Sequence, residues 1–592
     1  MDHLSELFLK LKLGVEETKG LDLGDVDTAI NALQSNNEFD ETTIENILKS
    51  VVALLEIDEP ESKAKVLMLI AEIAKSEETR VPCVKAGLIA TILSNLEKLA
   101  KSALAEHKGA EKIVKKLGVL EKSFDENSDN KLELAACGSM LNVASDDEAL
   151  TEEAVSFGAV SFLLGFVKQS LHSNPALCQM ALSAVSVLVF SEKGKASFSE
   201  SDGVEILMKV VQESEDEEMI DTIFEIFKSL IVDDDVKKAL VQQGYAEHLA
   251  NIVSSSNNAA EDESVKERMQ SAADMIVMLL TEDDSMKVLF DDGNGSVYKL
   301  CVSWLSSEDQ HLEISGCLAV GNFARTDEHC IKLVEQGVHV QLLQLLARTT
   351  KRENMGRHQQ AVFSALKNLA MPAVNKLKLV ESGCLDVILP LLSIQSPFVQ
   401  FKVLGTLRML LTGHADVASR IIGSKDHLNT LVRCCESSGH EGVRSEASRM
   451  LAVIVKQART AEVSQQIMKG GGLAPIVAMV SSEHVIMQNE ALIALTVMSS
   501  TVEENYYPKF RECGIIQTLI KMIKTEGVNP QTCYNAMAVL ESFSLQEYFR
   551  RDLEVAGLNK ALDDLTKHEN ENVKKRALII LTRVKAHKFS QE

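Results

Sequence analysis

Three carboxylates at helical spacing are the clearest candidate for chemistry in this chain. In SEDEEMIDTIFEIFKSLI (214–231), Met219, Ile220, Ile223, Phe224, Phe227 and Leu230 form an apolar side. Glu218, Asp221 and Glu225 fall at i, i+3 and i+7, which places them on one stripe of the same helix. Aligned carboxylates suit a lysine-rich peptide: each surface pair contributes well under ~1 kcal/mol, but together they raise the encounter rate. Simple solubility would use the same spacing, and the pattern alone does not separate the two.

A second candidate is polar and periodic. Asn322, Asn368, Arg408 and Arg449 recur at intervals of about one repeat, each expected mid-helix, in GNFAR, KNLAM, TLRML and SRMLA. Asparagine is a poor helix former, so its recurrence inside helical segments implies a hydrogen-bonding duty. Side by side, such helices would present a row of amides and guanidiniums for a partner. The same amides could instead tie neighbouring helices together. Asn142, in SMLNVAS, falls at a matching place.

Covalent chemistry finds no support. GKAS (194–197) lacks the glycine that a phosphate loop needs five residues earlier, and Gly293-Asn294-Gly295 lacks the third glycine of a dinucleotide turn. The 11 cysteines are dispersed and never spaced Cys-x-x-Cys, which reads as buried thiols rather than disulfides or a zinc site. Adjacent Cys434 and Cys435 point to different helix faces, one core and one surface. No catalytic residue, metal site or cofactor is expected.

The elements that carry these residues repeat. Glycines precede an apolar helix start at Gly87, Gly158, Gly203, Gly244, Gly293, Gly337, Gly383, Gly423, Gly472, Gly514 and Gly557. The intervals run from 40 to 49 residues except for one of 71, between Gly87 and Gly158. A period of about 40–47 residues with two or three helices each marks armadillo and HEAT arrays. Each repeat then reads as a short helix, a second helix and a long third helix ending near the next glycine. In 311–336, Ile314, Leu318, Phe323, Ile331 and Val334 mark the buried stripes and Gly337 ends the last helix. The expected architecture is all-α, a single armadillo-repeat superhelical solenoid over 1–592. Residues 1–50 read as an irregular helical cap, 51–569 as about eleven repeats, and 570–592 as a last helix and cap. The lysine-rich stretch near 88–130 reads as a truncated or merged repeat.

Composition agrees. Of 592 residues, 45% are hydrophobic but only 4% aromatic, with one tryptophan, Trp304, so aliphatic side chains must fill the spaces between closely stacked helices. The formal charge is −25, which opposes nucleic acid and favours a basic partner. Charge is unevenly spread: 201–300 holds 23 acids and 8 bases, whereas 341–480 holds 9 acids and 17 bases. No apolar run reaches the ~20 residues of a membrane span, and the N-terminus lacks a secretory pattern. A cytoplasmic protein with no direct membrane span is the expectation.

Longer strings carry a more specific resemblance. RVPCVKAGLI (80–89), DDSMKVLFDDGNGSV (283–297), NFARTD (322–327), KNLAMPAVNK (367–376), VQFKVLGTLRMLL (399–411) and SEHVIMQNEALIAL (482–495) resemble the Smg GDP-dissociation-stimulator (SmgGDS) family. The similarity runs from about residue 60 to about 500 and more weakly beyond. It implies an armadillo protein that binds small GTPases of the Rho and Ras classes carrying basic C-terminal tails, prenylated or not. It also implies guanine-nucleotide exchange without catalytic residues, or alternatively a chaperone for prenylated GTPases with little exchange activity. By that resemblance Glu218, Asp221 and Glu225 meet the basic tail. The groove around Asn322, Arg325, Asn368, Asn375, Arg408 and Arg449 holds the GTPase body. A nuclear-import adaptor would need a tryptophan array in its groove to stack on lysine stems, and one tryptophan cannot supply it.

Overall fold

The computed structural model describes residues 148–589 apart from short breaks, together with a few positions from Glu133 to Leu141. The N-terminal cap, the irregular interval near 88–130, Gly87 and Asn142 lie outside the described residues. What is described is helical, with no strand among the described residues.

Ten long helices recur, and they carry the candidate residues. They are α1 (Pro175–Leu188), α2 (Glu217–Leu230), α3 (Glu263–Leu279), α4 (Gln310–Phe323), α5 (Gly356–Leu369), α6 (Pro397–Leu411), α7 (Glu441–Ala458), α8 (Val485–Thr501), α9 (Pro530–Ser544) and α10 (Glu571–Phe589). Two shorter helices separate most neighbours, as Asp327–Glu335 and Val338–Thr349 do between α4 and α5. Side-chain caps start many of them. Asp216 accepts from the amides of Glu218 and Met219 at the head of α2, and Asp309 accepts from His311 and Leu312 at the head of α4. Such caps satisfy amides that the first helical turn leaves without partners.

Compact packing divides the chain into two units. One ends at Asn258 and takes in Thr281–Ser285; the other comprises Ala259–Leu280 and Met286 onward. In the first, α1 packs against α2. In the second, α3 to α10 pack consecutively, each against the next. The cores are aliphatic, as the composition requires. Leu407, Leu410, Leu451 and Ile454 are fully buried between α6 and α7 and their neighbours.

Three details correct the sequence reading. The repeating glycine does not end the long helix. Gly337 sits between the first and second helices of its repeat, with φ 79°, and α4 has already ended at Phe323. Only a residue without Cβ takes that left-handed turn freely, so the glycine marks the tight joint between two short helices. At Gly203, Gly423 and Gly472 the backbone is not left-handed. A Cβ at Gly203 would strike the Phe198 ring at 2.6 Å, so space rather than φ excludes a side chain there, and at the triple glycine it is Gly471 that turns left-handed.

The apolar stripes also shift. Leu318 is 43% exposed and Ile314 and Ile331 only half-buried, while Leu312, Cys317, Val320 and Leu333 form the core of that repeat. Ile220 is likewise half-buried, and Ile226 takes the buried place on α2. Cys434 and Cys435 are both buried, because the helix Lys425–Cys435 ends between layers that cover both of its faces.

Candidate functional site

On α2, the acidic stripe is exposed along its length: Glu218, Asp221 and Glu225 all face solvent. The opposite face holds the helix, with Met219, Ile223, Phe224, Ile226 and Phe227 buried. Thr222, on the turn between the acids, accepts a hydrogen bond from Gln179 of α1 at 3.3 Å. That contact fixes which way α2 is rolled against its neighbour, and so which way the carboxylates point. Lys228 reaches back to Glu225 at 3.3 Å, an exposed i, i+3 pair that offsets part of the charge.

The polar ladder is brought together in the second unit, with an inward duty. Asn322 and Asn368 sit in the last turn of α4 and α5, one residue before each helix ends, rather than mid-helix. The Asn322 amide donates to the carbonyl of Val277 on α3 at 3.2 Å. One repeat on, the Asn368 amide donates to the carbonyl of Gly321 on α4 at 3.1 Å. Each amide thus satisfies a carbonyl that the end of the preceding long helix leaves free. Both side chains remain half-buried, and Arg325, exposed beyond them, reaches the Asn322 oxygen at 3.5 Å.

Asn375 is fully buried and donates to the carbonyls of Cys330 and Leu369, each at 2.9 Å. It ties its own short helix, Ala373–Glu381, to the end of α5 and to the preceding short helix. Beside it Lys376 donates to the Thr412 carbonyl at 3.1 Å, and burial holds that ammonium below its ordinary range.

The arginines extend the ladder as charge pairs. Arg408 on α6 grips Glu446 on α7 with bonds of 2.7 and 3.3 Å. Arg449, one turn along α7, bonds Glu446 at 3.0 Å and Glu490 on α8 at 2.7 and 3.0 Å. Its hydrogen bond to Glu490 outweighs burial and holds the guanidinium above its ordinary range. Glu446 and Glu490 were not among the expected residues. Their signal was present, since Glu490 follows Arg449 by 41 residues and Glu446 follows Arg408 by 38, about one repeat each. An amide pair continues the series further on, where Asn535 on α9 donates to the Asn489 oxygen on α8 at 2.7 Å.

Among the described residues no cluster of histidine, cysteine and acid could hold a metal ion, and all ten described cysteines are free. Burial pushes their thiols up, Cys178 to about 11 and Cys384 to about 12. No described helix is long and apolar enough to cross a membrane.

Stacked repeats of short helices around a row of long ones define an armadillo-repeat α-solenoid. The fold is shared with solved structures: an engineered protein at TM-score 0.57 and 21% identity, covering 72% of this chain and 98% of that one. A second comes from work on a phosphorylation switch in the cadherin–β-catenin interaction, at TM-score 0.52 and 14% identity, covering 98% and 100%. No protein-family model matches. Curated relatives are more specific. The chain is 31% identical to Rap1 GTPase-GDP dissociation stimulator 1-B of Xenopus laevis and 32% identical to its 1-A counterpart, each over 98% of both chains. It is 28% identical to the GTPase-GDP dissociation stimulator vimar of Drosophila melanogaster, over 79% of this chain and 82% of that one. The chain belongs to the GTPase-GDP dissociation stimulator (SmgGDS) family.

Proposed function

We propose that this protein binds small GTPases with basic C-terminal tails, of the Rho and Ras classes, and stimulates release of their GDP. The names of three relatives support GDP dissociation as the activity, and two of them name Rap1 as the GTPase. The observation that carries the tail reading is the exposed stripe of Glu218, Asp221 and Glu225 on α2. The body of the GTPase lies against the long helices of the second unit, around Asn322, Arg325, Asn368, Arg408 and Arg449. Asn375, being fully buried, acts there by supporting α5 rather than by contact.

Exchange needs no covalent step. Nucleotide release is favoured when the protein binds the nucleotide-free GTPase more tightly than the GDP-bound form, and only that difference in affinity shifts the equilibrium. The side chains of the ladder are already held in place by neighbouring repeats, so little ordering entropy is lost on binding. The setting is cytoplasmic, where the tails of such GTPases are accessible.

The test is release of a fluorescent GDP analogue from a Rho-type and a Rap-type GTPase, each with its tail intact and deleted. Accelerated release that depends on the tail is the expected result. Binding without acceleration would replace this reading with that of a chaperone for prenylated GTPases.

A further inference from the structure

Two ammonium groups on the long-helix surface of the second unit lack partners. Lys367 on α5 and Lys402 on α6 are each half-buried, and neither makes a hydrogen bond or ion pair among the described residues. They are neighbours: burial first, and then the charge of Lys367, push the Lys402 ammonium below its ordinary range. Unpaired charge in a partly desolvated place is costly and calls for a counter-charge.

Among the described residues neither ammonium has a carboxylate within ion-pair distance. The Glu446 carboxylate, close to Gly405, already accepts three bonds from Arg408 and Arg449. Gly405 is itself buried on α6, and a Cβ there would stand 3.9 Å from Lys367 Nζ and 3.8 Å from Glu446 Oε2, so its backbone lies beside both side chains.

An apolar patch adjoins the two lysines. Phe398, Lys402 and Gly405 fall at i, i+4 and i+7 on α6 and share one face. Phe398 is 63% exposed, with its ring edge-on to the His440 imidazole at 5.4 Å, and Phe401 lies 6.1 Å from the same imidazole. Exposed phenylalanine and unpaired lysine thus stand one helical turn apart.

We infer that this face of α5 and α6 docks an acidic side chain flanked by apolar residues on the folded body of the GTPase. The carboxylate pairs with Lys367 and Lys402, and the apolar neighbour covers Phe398. The inference rests on the function proposed above. It assigns the second unit a partner chemistry opposite to that of the α2 stripe, acidic where the tail is basic. A polyphosphate surface is a poorer occupant, because two ammoniums in a chain of net charge −25 cannot hold a dense array of anions.

The experiment measures binding of the full chain to nucleotide-free Rap1 lacking its basic tail, at low and at physiological salt. Lys367→Gln with Lys402→Gln is expected to weaken binding about tenfold or more at low salt and to flatten the salt dependence. Phe398→Ala should weaken binding to a similar degree and leave the salt dependence unchanged. Both variants alter half-buried or exposed side chains, and unchanged circular dichroism melts establish that they fold. If wild-type protein binds and both variants bind equally well, the inference is overturned. It is also overturned if the lysine variant loses only binding to phosphatidylserine vesicles. Failure of the wild-type protein to bind any GTPase would instead remove the function on which the inference rests.

Discussion

Arg408 and Glu446 are 38 residues apart in the chain and joined by two hydrogen bonds, 2.7 Å from Nε and 3.3 Å from Nη2. With Arg449 and Glu490 they form a four-membered row of alternating charge across α6, α7 and α8. Each arginine has a carboxylate on the next long helix, so the row fixes the offset between repeats as well as adding stability.

Removing Glu446 should therefore cost more than the pair is worth. The Arg408 and Glu446 side chains are 12% and 10% exposed, and Glu446→Ala leaves one guanidinium without any carboxylate and a second with only Glu490. We expect a loss of about 3 kcal/mol for Glu446→Ala and a much smaller one for Glu446→Leu combined with Arg408→Met. Urea unfolding followed by circular dichroism measures both. Equal losses would show that the row adds no specific penalty for an orphaned charge.

The asparagines separate support from contact. Asn375→Ala strips the carbonyls of Cys330 and Leu369 of a buried donor and should cost about 1–3 kcal/mol. Asn368→Ala removes one half-buried bond to Gly321 and should cost about 1 kcal/mol. If Asn368 also meets the GTPase, its variant loses affinity out of proportion to its stability. Thermal melts beside titrations of the GTPase read the two effects, and unchanged affinity would confine Asn368 to tying repeats.

Charge reversal tests the stripe. Glu218→Lys with Glu225→Lys keeps both positions exposed, so folding should be unaffected. Association with a tail-bearing GTPase should slow by an order of magnitude or more at low salt, about 10-fold upward, and the difference should shrink at high salt. Stopped-flow rates that match the wild type at low salt would take the stripe out of the binding account.

Acid stability should depend on Glu282. Burial alone would raise its carboxyl, but amides of Ser285 at 2.7 Å and Asp284 at 3.0 Å, with Lys238 beside them, prevail and hold it at about 2. Because the folded pKa lies below that of the unfolded chain, this stabilisation is present above about pH 4.5 and is lost as pH falls toward 2. Glu282→Gln should lower the melting temperature at pH 7 and flatten the fall between pH 5 and pH 2, scanned by circular dichroism, about 3 kcal/mol being the upper bound of the effect. A variant with the wild-type acid profile would show that other carboxylates govern this range.

The repeat period, the helical class and the places of Asn322, Asn368, Arg408 and Arg449 in successive long helices were all legible in the sequence. Period and amphipathicity are properties of residues near one another in the chain, and one repeat carries enough of them to be recognised. Exposure of Glu218, Asp221 and Glu225 was legible for the same reason, since their i, i+3, i+7 spacing settles which face they share. The phase of the glycine was not, because a left-handed joint looks alike whether it follows a long helix or a short one. Nor could the sequence decide where the ladder amides point. Asn322 and Asn368 donate to carbonyls 45 and 47 residues earlier, and those bonds exist only once adjacent repeats have stacked with a particular offset. Stacking likewise buried both Cys434 and Cys435, exposed Leu318, and left Lys367 and Lys402 side by side with no ion pair among the described residues. Those outcomes depend on which neighbour arrives across the interface, and that is decided by packing between helices rather than by the pattern within any one of them.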